Sequence, residues 1–344
     1  MMQEKVPRRR RKMQSVTMTD VAQLADVSPS TVSLFLRRPE AVSALASQAI
    51  AHAIEKLNYV PNFMAGGLAA ASSRAVSILV PSVRNAFFAE TVSAMQSALR
   101  KERLQVILGH TEYDEREEED LVRMALSWAP AAIVLTGLSH SAVTRRMLSK
   151  TKIPVIEIWE LGSAQIGAAV GFHHDQVGVA AAEHLLGQGR RNLVFMGARM
   201  HEDRRARMRC DGFVACARNA GAHVHIVEHA APASAEVGSM LVQETLRLYP
   251  DTDGISCSND HIALGALFAC ERLHIAVPER LAVVGFGDLS FSAACNPPLT
   301  TIRPSGDLIG CEAARLIIDN LTGNRSPEPL TIDTRFTLLH RRSS

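Results

Sequence analysis

The chain has 344 residues, 47% apolar and 21% charged, with a net charge of +2. That length allows two or three domains and a core that needs no disulfides. No apolar run reaches the ~18 residues that span a bilayer, and the basic start MMQEKVPRRRRK leads into no apolar signal region, so a cytoplasmic protein is expected, not a membrane or secreted one.

Charge is unevenly placed. Residues 1–74 hold 10 Lys/Arg against 5 Asp/Glu, and the remainder holds 27 against 30. A basic head on a near-neutral body points to a polyanion partner for the head. Residues 1–14 read as a disordered basic tail. Residues 15–60 read as short helices: TMTDVAQLA, SPSTVSLFL and VSALASQAIAHAIEKL. Thr17 and Asp20 fit a capping box, with Val21 and Leu24 facing inward. Ala25–Asp26–Val27 makes a tight turn, and Ser28 then caps a second helix with Pro29 at its first position. Val32 and Leu36 point into a small core, while Pro29, Ser30, Ser33 and Leu34 face outward. This is the pattern of a helix-turn-helix, whose second helix enters the major groove of DNA. Residues 61–74, including FMAGGLAAASS, read as a hinge or linker. Gly66 and Gly67 each cost roughly 1 kcal/mol relative to alanine in a helix.

From Ala75 onward the rhythm becomes strand–helix alternation. The apolar runs AVSILVPSV, LQVILGH, AAIVLTG and IPVIEIWE are separated by segments such as AFFAETVSAMQSALRKE. NLVFMGA, HVHIVEH, GISCSND and LAVVGFG continue the series. Apolar strands alternating with helices imply parallel sheets covered on both faces. Two α/β lobes are expected: residues 75–172 with 303–330, and residues 173–302 with the C-terminal strand. Ligands in such sheets bind beyond the carboxyl ends of strands, so NAFF, GFHH, GAR, SND and GFGD become cleft loops. The acidic run EYDEREEED should open a helix, where carboxylates favour the positive dipole end. The six cysteines, Cys210, Cys216, Cys257, Cys270, Cys295 and Cys311, include no C-x-x-C pair and read as buried free thiols.

TDVAQLADVSPSTVSLFL followed by EKLNYVPN resembles the headpiece and hinge entry of LacI/GalR-family transcriptional regulators, and the alternating body resembles their periplasmic-binding-protein-like sensor. The resemblance implies a homodimer on palindromic operator DNA, with a hinge leucine wedged into the minor groove; Leu68 holds that position here. The DNA-contacting set it implies is Thr17, Ser28, Pro29, Ser30, Thr31, Ser33, Leu34, Asn62 and Leu68. Two residues depart from the pattern. Asp26 replaces the usual turn glycine, and Leu34 replaces an arginine that could grip guanine, worth ~1–3 kcal/mol of discrimination. The resemblance matches Phe87 and Phe88 to an aromatic wall and Arg209 to a ligand-holding arginine, with core packing and a surface or interlobe salt bridge as their alternatives. Cleft position adds His173, Arg199, Asp288, and Asn259 and Asp260, which could also form a plain N-cap.

Sugar-binding members present an aspartate where VVGFGDLS places Gly287, with Asp288 one step on. VGFHH contributes His173 and His174, and GARMHEDRRARMR contributes five arginines. Loss of a carboxylate beside gathered cations favours an anionic effector. FLRRPEAVS, PSVRNAFFAE, VGFHH, MGAR and SNDHIALGA are together most similar to the gluconate-utilization repressor branch, which implies a sugar acid. A neutral sugar or a nucleobase is the alternative effector. An enzyme is disfavoured, since no G-x-S-x-G, P-loop or G-x-G-x-x-G follows a strand. His173–His174–Asp175 lacks a third spaced ligand, so no metal is expected, and no other cofactor is implied. HRRSS follows the last strand-like segment without a heptad run, so a dimer is expected over a tetramer.

Overall fold

Local capping chemistry sets the first elements. In the computed structural model, which describes residues 16–60, 74–83, 86–324 and 329–344, helix α1 spans Met18–Leu24. Thr17 Oγ1 accepts from the Asp20 N–H at 3.3 Å, and the Asp20 carboxylate accepts from the Thr17 N–H at 2.7 Å. Asp26 holds a left-handed turn at φ +53°, a conformation that short polar side chains tolerate better than most. Helix α2 (Pro29–Arg37) begins where Ser28 Oγ accepts from the Thr31 N–H at 3.1 Å. A 3-10 turn (Pro39–Ala41) leads to α3 (Ala44–Leu57). Val21, Ala22, Ala25, Val32, Ile50 and Ala53 form the core, with Phe35 and Leu36 packed on it.

Leu24, expected inside, is 42% exposed. At about 100° per residue, Val21, Ala22 and Ala25 define the inner face of α1 and Leu24 falls to one side of it. Residues 1–15 and the segment carrying Asn62, Gly66, Gly67 and Leu68 lie outside the described residues. The chain divides into one compact unit up to Ala71 and a second from Ser72 onward.

The second unit contains two six-stranded sheets. In lobe 1, β1 (Ala75–Val80), β2 (Gln105–His110), β3 (Ala132–Thr136), β4 (Val155–Ile158), β5 (Ala168–Gly171) and β11 (Thr331–Asp333) run in the order β11–β5–β4–β3–β1–β2, all parallel. In lobe 2, β6 (Asn192–Ala198), β7 (His223–His229), β8 (Gly254–Cys257), β9 (Ala282–Phe286), β10 (Thr300–Pro304) and β12 (Phe336–Leu339) run β12–β10–β9–β8–β6–β7. Only the β10–β12 pair is antiparallel among these described strands. Strands β1, β3 and β4 are buried at every residue, as a sheet covered on both faces requires.

Lobe 1 is covered by α4 (Ala86–Lys101), α5 (Glu115–Ser127), α6 (Ala142–Ser149) and α11 (Gly306–Leu321). Lobe 2 is covered by α7 (His174–Gly187), α8 (Arg204–Asn219), α9 (Ala235–Leu248) and α10 (Asp260–Arg272). The acidic run opens α5, capped by Asp114.

The chain crosses between lobes after β5, after β10 and between β11 and β12. A single C-terminal strand was expected; two form, one per sheet, because the short crossover lets three residues pair with β5 before four pair with β10. Thr334 ties two crossings together, its N–H and Oγ1–H both donating to the Gly171 carbonyl at 2.8 and 3.0 Å. Among the cysteines expected to be buried, Cys311 is exposed, on the outer face of α11.

Helices α7 and α8 approach backbone to backbone. A Cβ on Gly178 would lie 1.9 Å from the Arg209 carbonyl oxygen, and one on Gly212 would lie 2.1 Å from that of Asp175. Glycine at both contacts permits this approach, which brings His174 and Arg209 side by side.

Candidate functional site

The start of α2 is a polar surface of the headpiece. Pro29 and Ser30 are exposed, and Thr31, Ser33 and Leu34 are half-buried. Ser28 Oγ lies 2.6 Å from Ser30 Oγ and 2.8 Å from Thr31 Oγ1. These hydroxyls, on the first turn of α2, offer donors and acceptors suited to phosphates and base edges. Leu34 projects from the side of α2 opposite Val32 and is not part of the headpiece core. Thr17 sits at the start of α1, its side chain engaged with Asp20.

In the second unit, strand ends and helix starts converge where the lobes meet. Phe87 and Phe88 open α4 of lobe 1 and join Trp159, Phe172 and Phe286 in one aromatic cluster. Phe88 lies 5.1 Å from Trp159, and Phe87 lies 6.0 Å from Trp159 and 6.1 Å from Phe286, centroid to centroid. Phe286 belongs to lobe 2, so Phe87 reaches across between the lobes. Gly287, at φ +127°, makes room for it: a Cβ there would fall 2.7 Å from the Phe87 ring. The position that holds an aspartate in sugar-binding members is therefore covered by an aromatic ring.

Arg209, in the second turn of α8, is the buried cation of this cluster, 5% exposed. Its Cζ stands 4.0 Å above the Phe286 ring, a cation–π geometry. Its Nη2 donates to the Ser258 carbonyl at 2.9 Å, and its Nη1 donates to His174 Nδ1 at 3.0 Å. Burial lowers the guanidinium pKa to about 10, so it stays charged at neutral pH. Burial first, then the charges of Arg209 and Arg205, hold His174 well below its ordinary pKa and hence neutral. Two buried polar atoms here have no hydrogen-bond partner among the described residues: Arg209 Nε and Ser258 Oγ. Such orphans in a folded interior call for a ligand or water. Arg205 of lobe 2 also reaches lobe 1, donating to the Thr136 carbonyl at 3.3 Å beside the buried Glu160 carboxylate.

Other residues of the expected ligand set have internal roles. Asp260 is fully buried, and its carboxylate accepts from the Leu289 N–H (3.0 Å), Ser292 Oγ (2.6 Å) and Thr301 Oγ1 (2.6 Å). Asp288 is held by Arg303 at 2.7 Å and Arg341 at 2.6 Å. Asn259 caps α10, its Oδ1 accepting from the Ile262 N–H at 3.1 Å. His173 is the half-buried N-cap residue of α7, with no side-chain cap bond. Arg199 is paired with Glu202 and lines a cavity of about 590 Å³ with residues 110–115 of lobe 1. The structure thus brings together Phe87, Phe88 and Arg209. Ser258 and Phe286 lie in the SND and GFGD loops expected at the cleft, although neither is named in the expected ligand set; Trp159, just past the carboxyl end of β4, lies in no expected cleft loop. Among the described residues no cluster of His, Cys, Asp and Glu is arranged for a metal, and no helix is long and apolar enough to cross a membrane.

Comparison with known proteins agrees with this architecture. Residues 17–62 match the family described as bacterial regulatory proteins, lacI family, and residues 182–344 match a periplasmic binding protein-like domain. The chain is 37% identical to the HTH-type transcriptional regulator GntR of Pseudomonas aeruginosa over 95% of both chains. It is 32% identical to GntR of Escherichia coli K12, covering 93% of this chain and 96% of that one. A solved LacI-family regulator from Silicibacter pomeroyi superposes with a TM-score of 0.90 at 30% identity, over 95% of this chain and 99% of its own. These relatives are transcriptional regulators, not enzymes. With headpiece, sensor fold and near full-length similarity in agreement, the chain belongs to the LacI family as a DNA-binding transcriptional regulator.

Proposed function

We propose that this regulator is a homodimeric repressor of sugar-acid catabolism, released from a palindromic operator by gluconate or a related sugar acid. The observation that carries the reading is the buried Arg209 with its Nε unpartnered among the described residues, beside an unpartnered Ser258 Oγ. A carboxylate satisfies a guanidinium edge with charge-assisted hydrogen bonds, and a hydroxyl of the same ligand suits Ser258. The two aspartates that would accept from a neutral sugar, Asp260 and Asp288, are already occupied by internal donors, and Phe87 covers Gly287. Similarity to relatives named GntR and, at 28% identity, to IdnR of Escherichia coli supports the same branch. On the DNA side, Ser30, Ser33 and Leu34 read base edges while Thr17, Ser28 and Thr31 position the helix; Asn62 and Leu68 contribute from the hinge. The solved lac repressor dimer bound to operator shares the fold at a TM-score of 0.82.

Isothermal titration of the full-length protein with gluconate, 2-ketogluconate, ribose and hypoxanthine tests the effector. Heat from a sugar acid, with loss of operator retention in a gel shift, is the expected result. Heat from ribose or hypoxanthine alone would overturn the sugar-acid reading.

A further inference from the structure

A one-way chain of hydrogen bonds leads out of the cleft from Arg209. Its Nη1 donates to His174 Nδ1 at 3.0 Å, and His174 Nε2 donates to the Trp159 carbonyl at 2.7 Å. Trp159 Nε1 donates to Thr91 Oγ1 at 3.0 Å, and Thr91 Oγ1 donates to the Gly306 carbonyl at 2.8 Å. The path starts on α8 of lobe 2, passes the first residue of α7 just beyond one crossover, and enters lobe 1 at the end of β4. It then reaches α4 and finishes at the first residue of α11, just beyond another crossover.

Direction is fixed at each step. A guanidinium only donates, so His174 Nδ1 must accept and its proton must sit on Nε2, where the Trp159 carbonyl needs it. One neutral tautomer satisfies both partners. The indole N–H only donates, so the Thr91 oxygen accepts from it and passes its own proton on to Gly306. Arg209, His174, Trp159 and Thr91 are each no more than 5% exposed, so a lost link leaves a buried group unsatisfied and water does not readily replace it.

We propose that His174 is a positioning residue that couples ligand occupancy at Arg209 to the lobe crossovers and to α4. The proposal rests on Arg209 being an effector contact. The guanidinium is planar and rigid, so a ligand anion that engages the free Nε reorients Nη1 as well. That movement alters the bond to His174, and the chain carries it through Trp159 and Thr91 to the start of α11. Coupling of this kind requires an element whose equilibrium both sites bias; the crossovers at 171–174 and 304–306 are that element.

The test uses the full-length chain with Trp128→Phe, which leaves Trp159 as its only tryptophan. His174→Gln retains one acceptor and one donor, His174→Leu removes both, and Thr91→Val breaks the chain outside the cleft. Each variant is titrated with whichever of gluconate, 2-ketogluconate, ribose or hypoxanthine gives heat with the parent protein. Operator affinity is measured with and without that ligand, and Trp159 emission is followed throughout. In the parent and His174→Gln, ligand is expected to shift operator affinity about tenfold or more and to shift the emission. In Thr91→Val, ligand affinity should stay at the parent value while the operator response and the emission shift shrink together. His174→Leu should lose the response even at saturating ligand.

An undiminished operator response in Thr91→Val and His174→Leu would overturn the proposal. Thr91→Val decides the matter if His174→Leu does not fold by circular dichroism. A response only to ribose or hypoxanthine would sink the sugar-acid reading while still testing the coupling. If none of the four ligands gives heat, unchanged ligand-free operator affinity and Trp159 emission in both variants overturns the proposal, and a change in both supports it.

Discussion

In the proposed operator complex, Leu34 gives the DNA a hydrocarbon surface at a point where arginine would offer two donors to guanine. Its placement opposite Val32 on α2 leaves it free to meet a thymine methyl, and the serines and threonine of the first turn then supply the polar contacts. Leu34→Arg is therefore expected to change the preferred base at one position of each half-site by about 1–3 kcal/mol. Selection from randomised operators checks this; identical preferred sequences for the two proteins would refute it. Single-residue roles were only partly legible in the sequence. SND marked a strand end, but the donors that occupy Asp260 come from Leu289, Ser292 and Thr301, which only the folded sheet brings near. His173 and His174 are neighbours with opposite fates. Which of them turns inward depends on where α7 begins and on the close approach of α8, and neither is written in the dipeptide.

At the scale of elements, α5, α6 and β4 meet at a buried histidine. His140 Nδ1 bonds the Glu118 carboxylate at 2.9 and 3.1 Å, and its Nε2 makes an ion-pair contact with Glu157 Oε1 at 3.4 Å. Glu157 is itself fully buried and accepts from the N–H groups of Ile166 and Gly167. Burial alone would lower the His140 pKa, but the bonds to and charges of Glu118 and Glu157 outweigh it and raise it to about 9. A folded-state pKa above the ordinary 6.5 means that the histidine's contribution is complete below about pH 6.5 and is lost as pH rises through 9. The amount is on the order of 3 kcal/mol. Melting temperature should fall between pH 7 and 9.5 in the parent protein. In His140→Gln that part of the slope should vanish, and an equal slope in both would refute the assignment.

The α7–α8 contact gives a second element-scale expectation. Gly178→Ala forces its Cβ against the Arg209 carbonyl, and overpacking of this kind costs about 1–3 kcal/mol. Because the same contact aligns Arg209 with His174, calorimetry should show weaker effector binding along with the lower melting temperature. Long periodic segments such as 192–198 and 223–229 were visible in the sequence with the bounds observed. Strand β5 has four residues, two of them alanine and one glycine, and β11 has three, so neither carries the β-branched run that marked β4, and both exist because neighbouring strands offer a free edge.

At the scale of the whole molecule, the proposed function assigns DNA reading to the first compact unit and effector sensing to the second. The alternation of strands and helices beyond Ala75 showed this division in the sequence, although the path of three crossovers did not emerge, since crossovers depend on which sheet each short strand joins. A fragment beginning at Ser72 is expected to bind effector with the affinity of the full chain and to lose operator binding. Calorimetry and fluorescence anisotropy measure the two properties separately, and weak effector binding by the fragment would show that the headpiece contributes to sensing. The contact of Phe87 with Gly287, which links one lobe to the other, also constrains how this regulator can diverge. Adding an aspartate at 287 collides with the ring, and shrinking the ring first leaves a gap between the lobes. Each step alone should lower effector response, while Phe87→Ala with Gly287→Asp should lose less than the two losses added, as a double-mutant cycle would register. On the proposed sugar-acid reading, the effect of a carboxylate at 287 then depends on the residue at 87, so the two positions constrain a change of effector class as a coupled pair.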